Sequence, residues 1–424
     1  MESIQNTTSK ITQSFTFKAM IIAVLTLLLL IPNAMIQGLI YERQMQSRET
    51  IDQINKQWSL AQTVCPPVLV IPTSVIVDKL NSNGQILELF VAPESTEITV
   101  QLFPEVRKRS IYKNIVYKSD IHISGKFSEL KNQTVENGVM YFDKAYILLS
   151  ISDLRGIAQE IDFYFDGKKI STKADGNKML IPLDNMMLDS KNEFLFDCTL
   201  KLKGSNRISF VPIAKNTKVS ISGDWKAPEF VGDFLPDYNI SANHFKAEWN
   251  VLSFNRSIPE RWFDYRDIEK ESSFGVNLVD MVNHYQQNMR SAKYALLFIA
   301  LTFVVFFFVE VITKKRIHPI QYLLVGIALI LFYSLLLSLS EQIGFALAYL
   351  IASAATILLI TTYTTGIFKL KKATAILTAI LVILYTFLYV ILQLEDLALL
   401  IGSLGLFVIL GIIMFISRKI TWYK

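Results

Sequence analysis

The sequence predicts a membrane protein: an α-helical bundle of six transmembrane helices, one N-terminal and five C-terminal, with a large, mainly β extracytoplasmic domain inserted between them. Hydrophobic residues make up 51% of the 424 residues and charged residues only 19%, which is too apolar for an ordinary soluble protein. The apolar residues lie in separate runs, with a segment of ordinary globular composition between the first run and the others. This pattern excludes a soluble cytosolic enzyme, a disordered chain and a coiled coil.

Six apolar runs are long enough to cross a bilayer, which takes about 20 helical residues at a rise of about 1.5 Å per residue. We interpret the first run as an uncleaved signal anchor, because it follows a long basic tail and is not followed by a clear cleavage site. The alternative is a cleaved signal peptide. The six runs are residues 19–39, 294–313, 320–339, 343–364, 373–393 and 397–416.

The basic residues predict the side of the membrane on which each connection lies. Residues 42–292 hold 30 basic and 32 acidic residues, so they carry no excess of positive charge for binding nucleic acid. Most of the other basic residues lie in the two terminal tails and in the connections 314–316 and 369–372. The positive-inside rule places all four segments, and so both termini, in the cytoplasm, as expected for a multi-pass membrane protein.

The predicted domains follow from this topology. Residues 1–18 form a cytoplasmic tail, 19–39 the signal anchor, 42–292 the periplasmic domain, 293–417 a five-helix bundle and 418–424 a second cytoplasmic tail. The expected partners are the lipid bilayer and an unknown protein of the periplasm or envelope.

The segment 42–292 is predicted to contain mainly β-strands. Short runs of alternating apolar and polar residues recur, for example at 98–102, 161–165 and 194–196, and Asn-Gly or Asp-Gly turn signals separate them. This spacing favours an antiparallel sandwich or an extended sheet. Helices are predicted at its two ends, over 41–60 and over 276–289, where apolar residues recur every three or four positions.

The sequence carries no recognisable catalytic motif, such as G-x-S-x-G, H-E-x-x-H or a P-loop. Its four histidines are far apart, so we expect no metal site, no cofactor and no enzymatic activity. Cys65 and Cys198 both fall in the exported segment, where a disulfide is possible. We favour free thiols, because Cys198 shares one face of a predicted strand with Phe196 and Leu200.

Polar residues near the apolar runs are candidates for function, because each is costly to place in lipid. The candidate cluster is Glu310, His318, Gln321 and Glu341. Glu310 precedes Lys314 by four residues, which predicts a simple ion pair on one helix face. The alternative is that Glu310 faces the bundle and bonds to His318 or Gln321. His318 is expected to cap the next helix and to anchor it at the membrane interface, and Glu341 is predicted to lie in an outer turn.

Several motifs identify a resemblance to a known family. Residues 318–326 read H-P-I-Q-Y-L-L-V-G, residues 337–345 read L-S-L-S-E-Q-I-G-F, and residues 256–259 read R-S-I-P. These strings resemble the CreD family of bacterial inner membrane proteins. The resemblance implies a role in cell-envelope integrity and the envelope stress response, and it implies no catalytic residue.

Three functions remain open from the sequence. The first is a non-enzymatic envelope protein that resembles CreD. The second is a transporter or a lipid-handling channel in the C-terminal bundle, which a continuous polar path through Glu310, Gln321, Tyr333 and Glu341 would support. The third is a membrane-embedded hydrolase, which ranks last because His318 is the only natural base associated with the spans.

Overall fold

The structure is a computed structural model, and it describes residues 15–75, 85–128, 138–176, 178–183, 192–263, 272–279, 284–313, 315–368, 370–394 and 397–418. The chain forms two compact units. We call Met1–Arg48 with Val282–Lys424 the helical unit, and Glu49–Met281 the sheet unit. The predicted inserted domain, 42–292, is slightly longer than the sheet unit, because the residues at its two ends belong to the helical unit.

The α-helices of the described residues match the predicted spans closely. The helix predicted over 41–60 is confirmed, and it is the second half of α2. The helices are α1 (Phe15–Leu28), α2 (Leu30–Trp58), α3 (His284–Lys293), α4 (Ala295–Thr313), α5 (Pro319–Ile343), α6 (Phe345–Phe368), α7 (Lys371–Gln393) and α8 (Ala398–Ser417).

Five helical segments are long and apolar enough to cross a membrane. The first combines α1 and α2, and the other four are α4, α5, α6 and α7. The sixth predicted span, 397–416, is helical as α8, but its described apolar stretch, Leu400–Phe415, is shorter.

The first predicted span is two helices rather than one. The helix is interrupted at Leu29, four residues before Asn33 and three before Pro32. Proline has no N–H to donate, and its ring clashes with the carbonyl group four residues earlier, here that of Leu28. Pro32 therefore explains the break. A backbone hydrogen bond from Asn33 N–H to Leu29 O, at 3.2 Å, links the two helices across it.

A similar correction applies to the loop after α5. The residues 340–342, predicted as an outer turn, form the last helical turn of α5. The helix ends at Gly344, whose φ of 83° is readily adopted only by glycine, and its N–H bonds to Ser340 O at 3.1 Å. Glu341 therefore lies on a helix and not in a turn.

The sheet unit contains two sheets, and most of their strands pair in antiparallel fashion. One sheet of ten strands has the order β14-β18-β12-β1-β6-β10-β9, with β2, β5 and β17 attached beside it. The other, of eight strands, has the order β15-β16-β13-β3-β4-β11-β7-β8. Two pairs are parallel, β1 with β12 and β3 with β13, so the sheets are not purely antiparallel as predicted. The strands are β1 (Gln62–Val75), β2 (Gln85–Val91), β3 (Ser95–Arg109), β4 (Tyr112–Ser128), β5 (Gly138–Met140), β6 (Tyr146–Ile151), β7 (Asp162–Phe165), β8 (Lys168–Ile170), β9 (Lys173–Asp175), β10 (Lys178–Pro182), β11 (Glu193–Ser205), β12 (Arg207–Phe210), β13 (Asn216–Asp224), β14 (Pro228–Gly232), β15 (Asp237–Ser241), β16 (His244–Leu252), β17 (Arg261–Phe263) and β18 (Phe274–Leu278).

Several strands are longer than the short runs predicted. The runs 194–196 and 199–203 belong to one strand, β11, in which every second side chain from Phe194 to Leu202 is buried. One apolar core draws on both sheets, with Ile98 and Ile123 from one and Val64 and Ile147 from the other. Packing of two sheets around this core confirms a sandwich.

The helix predicted over 276–289 is partly wrong. Val276 lies in β18, between β12 and β14, and its neighbours Phe274 and Leu278 are buried on the same side. Burial of every second residue is typical of a strand. The apolar residues at the start of the predicted helix fit this period of two as well as they fit a helical period. Among the described residues, the helix that follows β18 is α3, His284–Lys293. Val282 lies outside the described residues.

Cys65 and Cys198 are both buried, and neither forms a disulfide within the described residues. Cys198 lies in the main core of the sandwich, whereas Cys65 lies in a smaller cluster with Phe90 and Trp262. Burial raises the pKa of the Cys198 thiol to about 12, so the group stays a neutral apolar side chain.

Candidate functional site

Glu310 is the centre of a buried polar contact in the helical unit, which we call the Glu310 clamp. Its side chain is 6% exposed and lies near the end of α4. One carboxylate oxygen, Oε1, accepts from Lys18 Nζ and from the backbone N–H of Ile317, the latter at 3.1 Å. The other, Oε2, accepts from the Tyr322 hydroxyl at 3.0 Å. The clamp therefore joins α1, α4 and α5 through one charge.

A cavity of about 290 Å³ lies beside the clamp. The polar atoms of Glu310 and Tyr322 at its wall are already bonded to each other. This arrangement holds helices together, and it leaves the carboxylate few free lone pairs for a ligand. The lining residues are Phe17, Lys18, Ile21, Ile22, Glu310, Ile317, His318, Pro319 and Tyr322.

The clamp differs from both predictions for Glu310. Lys314, the predicted partner on the same helix, lies outside the described residues. Within the described part of the chain, Glu310 bonds to neither His318 nor Gln321. These two residues cap α5 instead: His318 Nδ1 accepts from Ile320 N–H at 3.3 Å, and Gln321 Oε1 accepts from His318 N–H at 3.0 Å. The capping role expected for His318 is confirmed.

Glu341 lies at the opposite end of α5 from the other three candidates. Twenty residues separate it from Gln321, which corresponds to about 30 Å along a helix. Its Oε1 accepts from the Tyr285 hydroxyl of α3 at 3.1 Å. Tyr333, on α5 between these ends, is buried, and its hydroxyl has no hydrogen-bond partner among the described residues. The predicted four-residue cluster is thus two separate groups.

The group near Glu341 extends to side chains that the sequence analysis did not single out. Asn288 Nδ2 donates to Ser340 Oγ at 2.7 Å, which joins α3 to α5. From α2, Asn33 Nδ2 and Gln37 Nε2 donate to the carbonyl oxygen of Ala292 at 3.3 and 3.5 Å. Asn33 and Gln37 are four residues apart inside an apolar run. This spacing is the sequence feature from which a shared polar contact could have been predicted.

A second buried carboxylate, Asp153, fixes the other end of α2 in the sheet unit, and we call it the Asp153 knot. Asp153 is 8% exposed. Its Oδ2 accepts from the Ser59 hydroxyl at 3.1 Å and from Leu60 N–H at 3.0 Å, both directly after α2. Arg155 makes a bidentate contact, with Nε at 2.8 Å from Oδ1 and Nη2 at 2.9 Å from Oδ2. The Gln62 side chain donates to Asp153 O at 2.9 Å and accepts from Asp153 N–H at 3.2 Å.

The electrostatics of the knot favour the ionised carboxylate. The hydrogen bond from Arg155 lowers the pKa of Asp153 to about 2, with help from the N–H of Leu60 and against the effect of burial. Arg155 Nη1 also donates to Lys56 O at 3.0 Å, in the last turn of α2. Trp58, the last residue of that helix, lies 3.7 Å beneath the guanidinium of Arg107.

The contacts of the Asp153 knot are not predicted by the sequence patterns. Its partners are about 90 residues apart along the chain, and an Asp two residues before an Arg is a common pair with no specific meaning. Only the fold brings the strand β1 and the loop after β6 together.

The described residues contain no group of three or more His, Cys, Asp or Glu side chains arranged to hold a metal ion. His122 pairs with Asp197 and His244 with Asp224, both at 2.7 Å on the surface of the sheet unit. These are exposed two-residue pairs, which are weak in water.

Comparisons with known proteins are consistent with this architecture. Residues 14–423 match the family described as inner membrane protein CreD. The inner membrane protein CreD of Escherichia coli (strain K12) is 32% identical over 411 residues, which cover 94% of this chain and 91% of that protein. Among solved structures, an M1 zinc metallopeptidase from Deinococcus radiodurans shows a TM-score of 0.21 at 6% identity, over 45% of this chain and 42% of that chain, a likeness too low to carry an argument. The resemblance of the sequence motifs is confirmed, and the chain belongs to the CreD family of multi-pass inner membrane proteins.

Proposed function

We propose that this protein contributes to cell-envelope integrity and to the envelope stress response, without catalysing a reaction. The observation that carries this proposal is the fixation of the N-terminal helices. A buried carboxylate holds Lys18 on α1 in the helical unit, and another holds Ser59 and Leu60 just after α2 in the sheet unit. These contacts fix the position of α1 and of the residues directly after α2, and the proposed role uses this fixed position.

The proposed mechanism depends on α2, the helix that follows α1 in the chain and ends at the Asp153 knot. α2 runs without interruption for 29 residues, about 44 Å at the usual rise, from the helical unit into the sheet unit. The bonds of Asn33 and Gln37 to Ala292 O fix its first turns, and the bond of Arg155 to Lys56 O fixes its last. We propose that α2, which has residues in each unit, passes a change in the sheet unit on to the membrane helices.

The topology belongs to the same proposal: six spans, both termini in the cytoplasm and the sheet unit in the periplasm. Its support is the distribution of basic residues, which places Arg316 and Leu370 on the cytoplasmic side and Gln342 outside. All three positions are well suited to labelling, because their side chains are exposed.

Labelling of single cysteines tests this topology. With both native cysteines replaced by alanine, an impermeant thiol reagent should label Gln342→Cys and Leu195→Cys in cells whose outer membrane has been made permeable. Arg316→Cys and Leu370→Cys should react only after the inner membrane is opened. Labelling of Arg316→Cys but not of Gln342→Cys, with the inner membrane intact, would show that the bundle has the opposite orientation.

Lipid handling by the C-terminal bundle is a second candidate, and one observation favours it. A groove of about 600 Å³ lies between α6 and α7, lined by Tyr349 from α6 and by Tyr385 and Tyr389 from α7. Its hydroxyl groups are largely satisfied internally: Tyr349 donates to Tyr385 O at 2.7 Å, and Thr361 bonds to Thr378 at 2.8 Å. An apolar groove of this kind suits a hydrocarbon chain.

Variants that fill the groove distinguish lipid handling from coupling through α2. Ser353→Phe or Ala354→Phe would occupy it, while Leu347→Phe, on an exposed part of α6, is the matched control. Lipid handling predicts that the groove variants lose envelope function and the control does not. The proposed coupling through α2 predicts that all three variants remain functional.

A further inference from the structure

The two ends of the eight-stranded sheet differ in how their open edges are protected. This sheet ends in β8 on one side and in β15 on the other. An open edge presents unpaired backbone N–H and C=O groups, which can pair with another chain. Natural proteins usually block such edges with short strands, charged side chains or bulges, so an unprotected edge calls for an explanation.

The β8 end is protected. β8 has three residues, and two of them are lysines, Lys168 and Lys169. The short edge strand of the other sheet, β9, also has three residues and begins with Lys173. Lysine at a short edge strand is a common device against pairing with other chains.

The β15 end lacks this protection. β15 has five residues, Asp237–Ser241, none of them basic, and within the described part of the chain it pairs only with β16. Tyr238 and Ile240 stand opposite the buried residues Ala247 and Phe245, so they face the core side of the sheet. They are nevertheless 62% and 42% exposed. The apolar face of the sandwich is therefore incompletely covered at this edge.

The surroundings of β15 are apolar and acidic. Leu235, two residues before the strand, is 85% exposed. Asp237 begins the strand, Asp233 precedes it, and the nearest lysine on β16, Lys246, is bonded to Glu248 at 2.6 Å. A partner for this edge would thus gain backbone hydrogen bonds, apolar contacts and attraction between opposite charges.

We propose that β15 is a docking edge for an extended segment of a partner protein, which adds a strand to the sheet. The segment alternates apolar side chains, which cover Tyr238 and Ile240, with basic side chains, which face the acidic residues. This proposal does not depend on the proposed function, since it concerns only the edge of the sheet unit.

Peptide binding to the purified full-length protein in detergent tests the proposal. The probe is a fluorescent eight-residue peptide of alternating valine and lysine, measured by anisotropy. One comparison peptide replaces lysine with glutamate, and another carries proline at its centre, which removes a backbone donor. We expect saturable binding of the valine–lysine peptide and at least about tenfold weaker binding of the other two, a difference of about 1.4 kcal/mol. Equal binding of the glutamate peptide would overturn the proposal.

Two matched variants locate the binding. Ile240→Lys places a lysine on the edge strand. Leu252→Lys makes a similar change on the neighbouring strand β16, at a residue of nearly the same exposure, 41% against 42%. The first should weaken binding about tenfold or more, and the second less than about twofold. Equal effects would contradict docking at β15. Should Ile240→Lys fail to fold by circular dichroism, a photoreactive side chain at Ser241 replaces it, and must cross-link the peptide.

A second copy of this chain is the competing occupant. If Ile240→Lys converts a dimer into a monomer in light scattering while Leu252→Lys does not, the edge pairs with itself, and the proposed partner segment is wrong.

Discussion

The Glu310 clamp and the Asp153 knot use the same set of donors in two different surroundings. Each carboxylate accepts from a basic side chain, a hydroxyl and a backbone N–H: Lys18, Tyr322 and Ile317 for Glu310, and Arg155, Ser59 and Leu60 for Asp153. Both are nearly buried, at 6% and 8% exposure. Both hold an end of the N-terminal helices.

The two sites differ in how easily water could replace a hydrogen-bond or ion-pair partner of the carboxylate. In the sheet unit, Arg155 is more than half exposed, so water can solvate the carboxylate if the arginine is removed. In the helical unit, the lysine side chain is 25% exposed and the surrounding residues are apolar. The same contact is therefore worth more where water is scarce, since an unpaired buried charge is costly. The following predictions test this comparison, from the largest effect to the smallest.

Loss of Lys18 should have the largest effect. Lys18→Met leaves the Glu310 carboxylate buried without its cation, and we expect the helical unit to lose about 3 kcal/mol of stability. Unfolding in mixed detergent micelles measures this loss. Lys371→Met, at an exposed lysine at the start of α7, is the matched control and should change stability by less than about 0.5 kcal/mol. Equal effects of the two variants would show that the clamp contributes no more than a surface charge.

Asp153→Asn should cost less, about 1–2 kcal/mol, because the Arg155 side chain that loses its partner is 57% exposed and can be solvated by water. The pKa of Asp153 is lowered to about 2, so its stabilising effect is complete above the unfolded pKa near 4 and is lost as the pH falls towards 2. The wild type should therefore lose part of its stability between pH 4 and pH 2. The asparagine variant should lack this part of the pH dependence, and an unchanged acid transition would contradict the assignment. Asp224→Asn, at an exposed carboxylate, serves as control.

Removal of one hydroxyl from each site compares the two surroundings directly. Tyr322→Phe deletes the donor to Glu310 Oε2, and Ser59→Ala deletes a donor to Asp153 Oδ2. We expect losses of about 1.5 kcal/mol and about 0.5–1 kcal/mol respectively, since Asp153 keeps its bonds from Leu60 and Arg155, whereas Tyr322 is the only donor to Glu310 Oε2 among the described residues. Thermal unfolding of both variants in the same detergent measures the difference. A larger loss for Ser59→Ala would reverse the comparison.

The smallest effect is expected at His318. His318→Ala removes a capping acceptor at the exposed start of α5 and should cost about 0.5–1 kcal/mol. His318→Asn supplies another capping side chain and should restore most of the loss. An effect on envelope function without any effect on stability would assign His318 a role beyond capping.

The helices and their order could be predicted from the sequence, because 20-residue apolar runs have few alternatives in structure. The break at Leu29 was also accessible, since Pro32 stands inside the first run, but the run was interpreted as one span. The strand at 274–278 was mistaken for a helix because Val276 and its neighbours fit both periods.

The functional contacts were much less accessible. Glu310 could be singled out, since a carboxylate near the end of an apolar run needs a partner, but that partner lies 292 residues away. Sequence spacing favours local pairs such as Glu310 with Lys314, and it gives no weight to a pair that only helix packing brings together. The Asp153 knot has the same origin, because its donors come from the end of α2 and its acceptor from the loop after β6.

The most direct test of the account concerns α2 itself. Glu42, Arg43 and Glu49 have exposed side chains in the middle of this helix, so replacing all three removes few contacts. Replacement with glycine weakens the helix by about 1 kcal/mol per residue relative to alanine, while the alanine variant keeps it intact. The measurement is tolerance to detergent and to β-lactams in cells that rely on each variant, at equal amounts of protein in the membrane. If α2 couples the two units, the alanine variant should protect the envelope as the wild type does, and the glycine variant should fail. Equal protection by both variants would contradict coupling through α2.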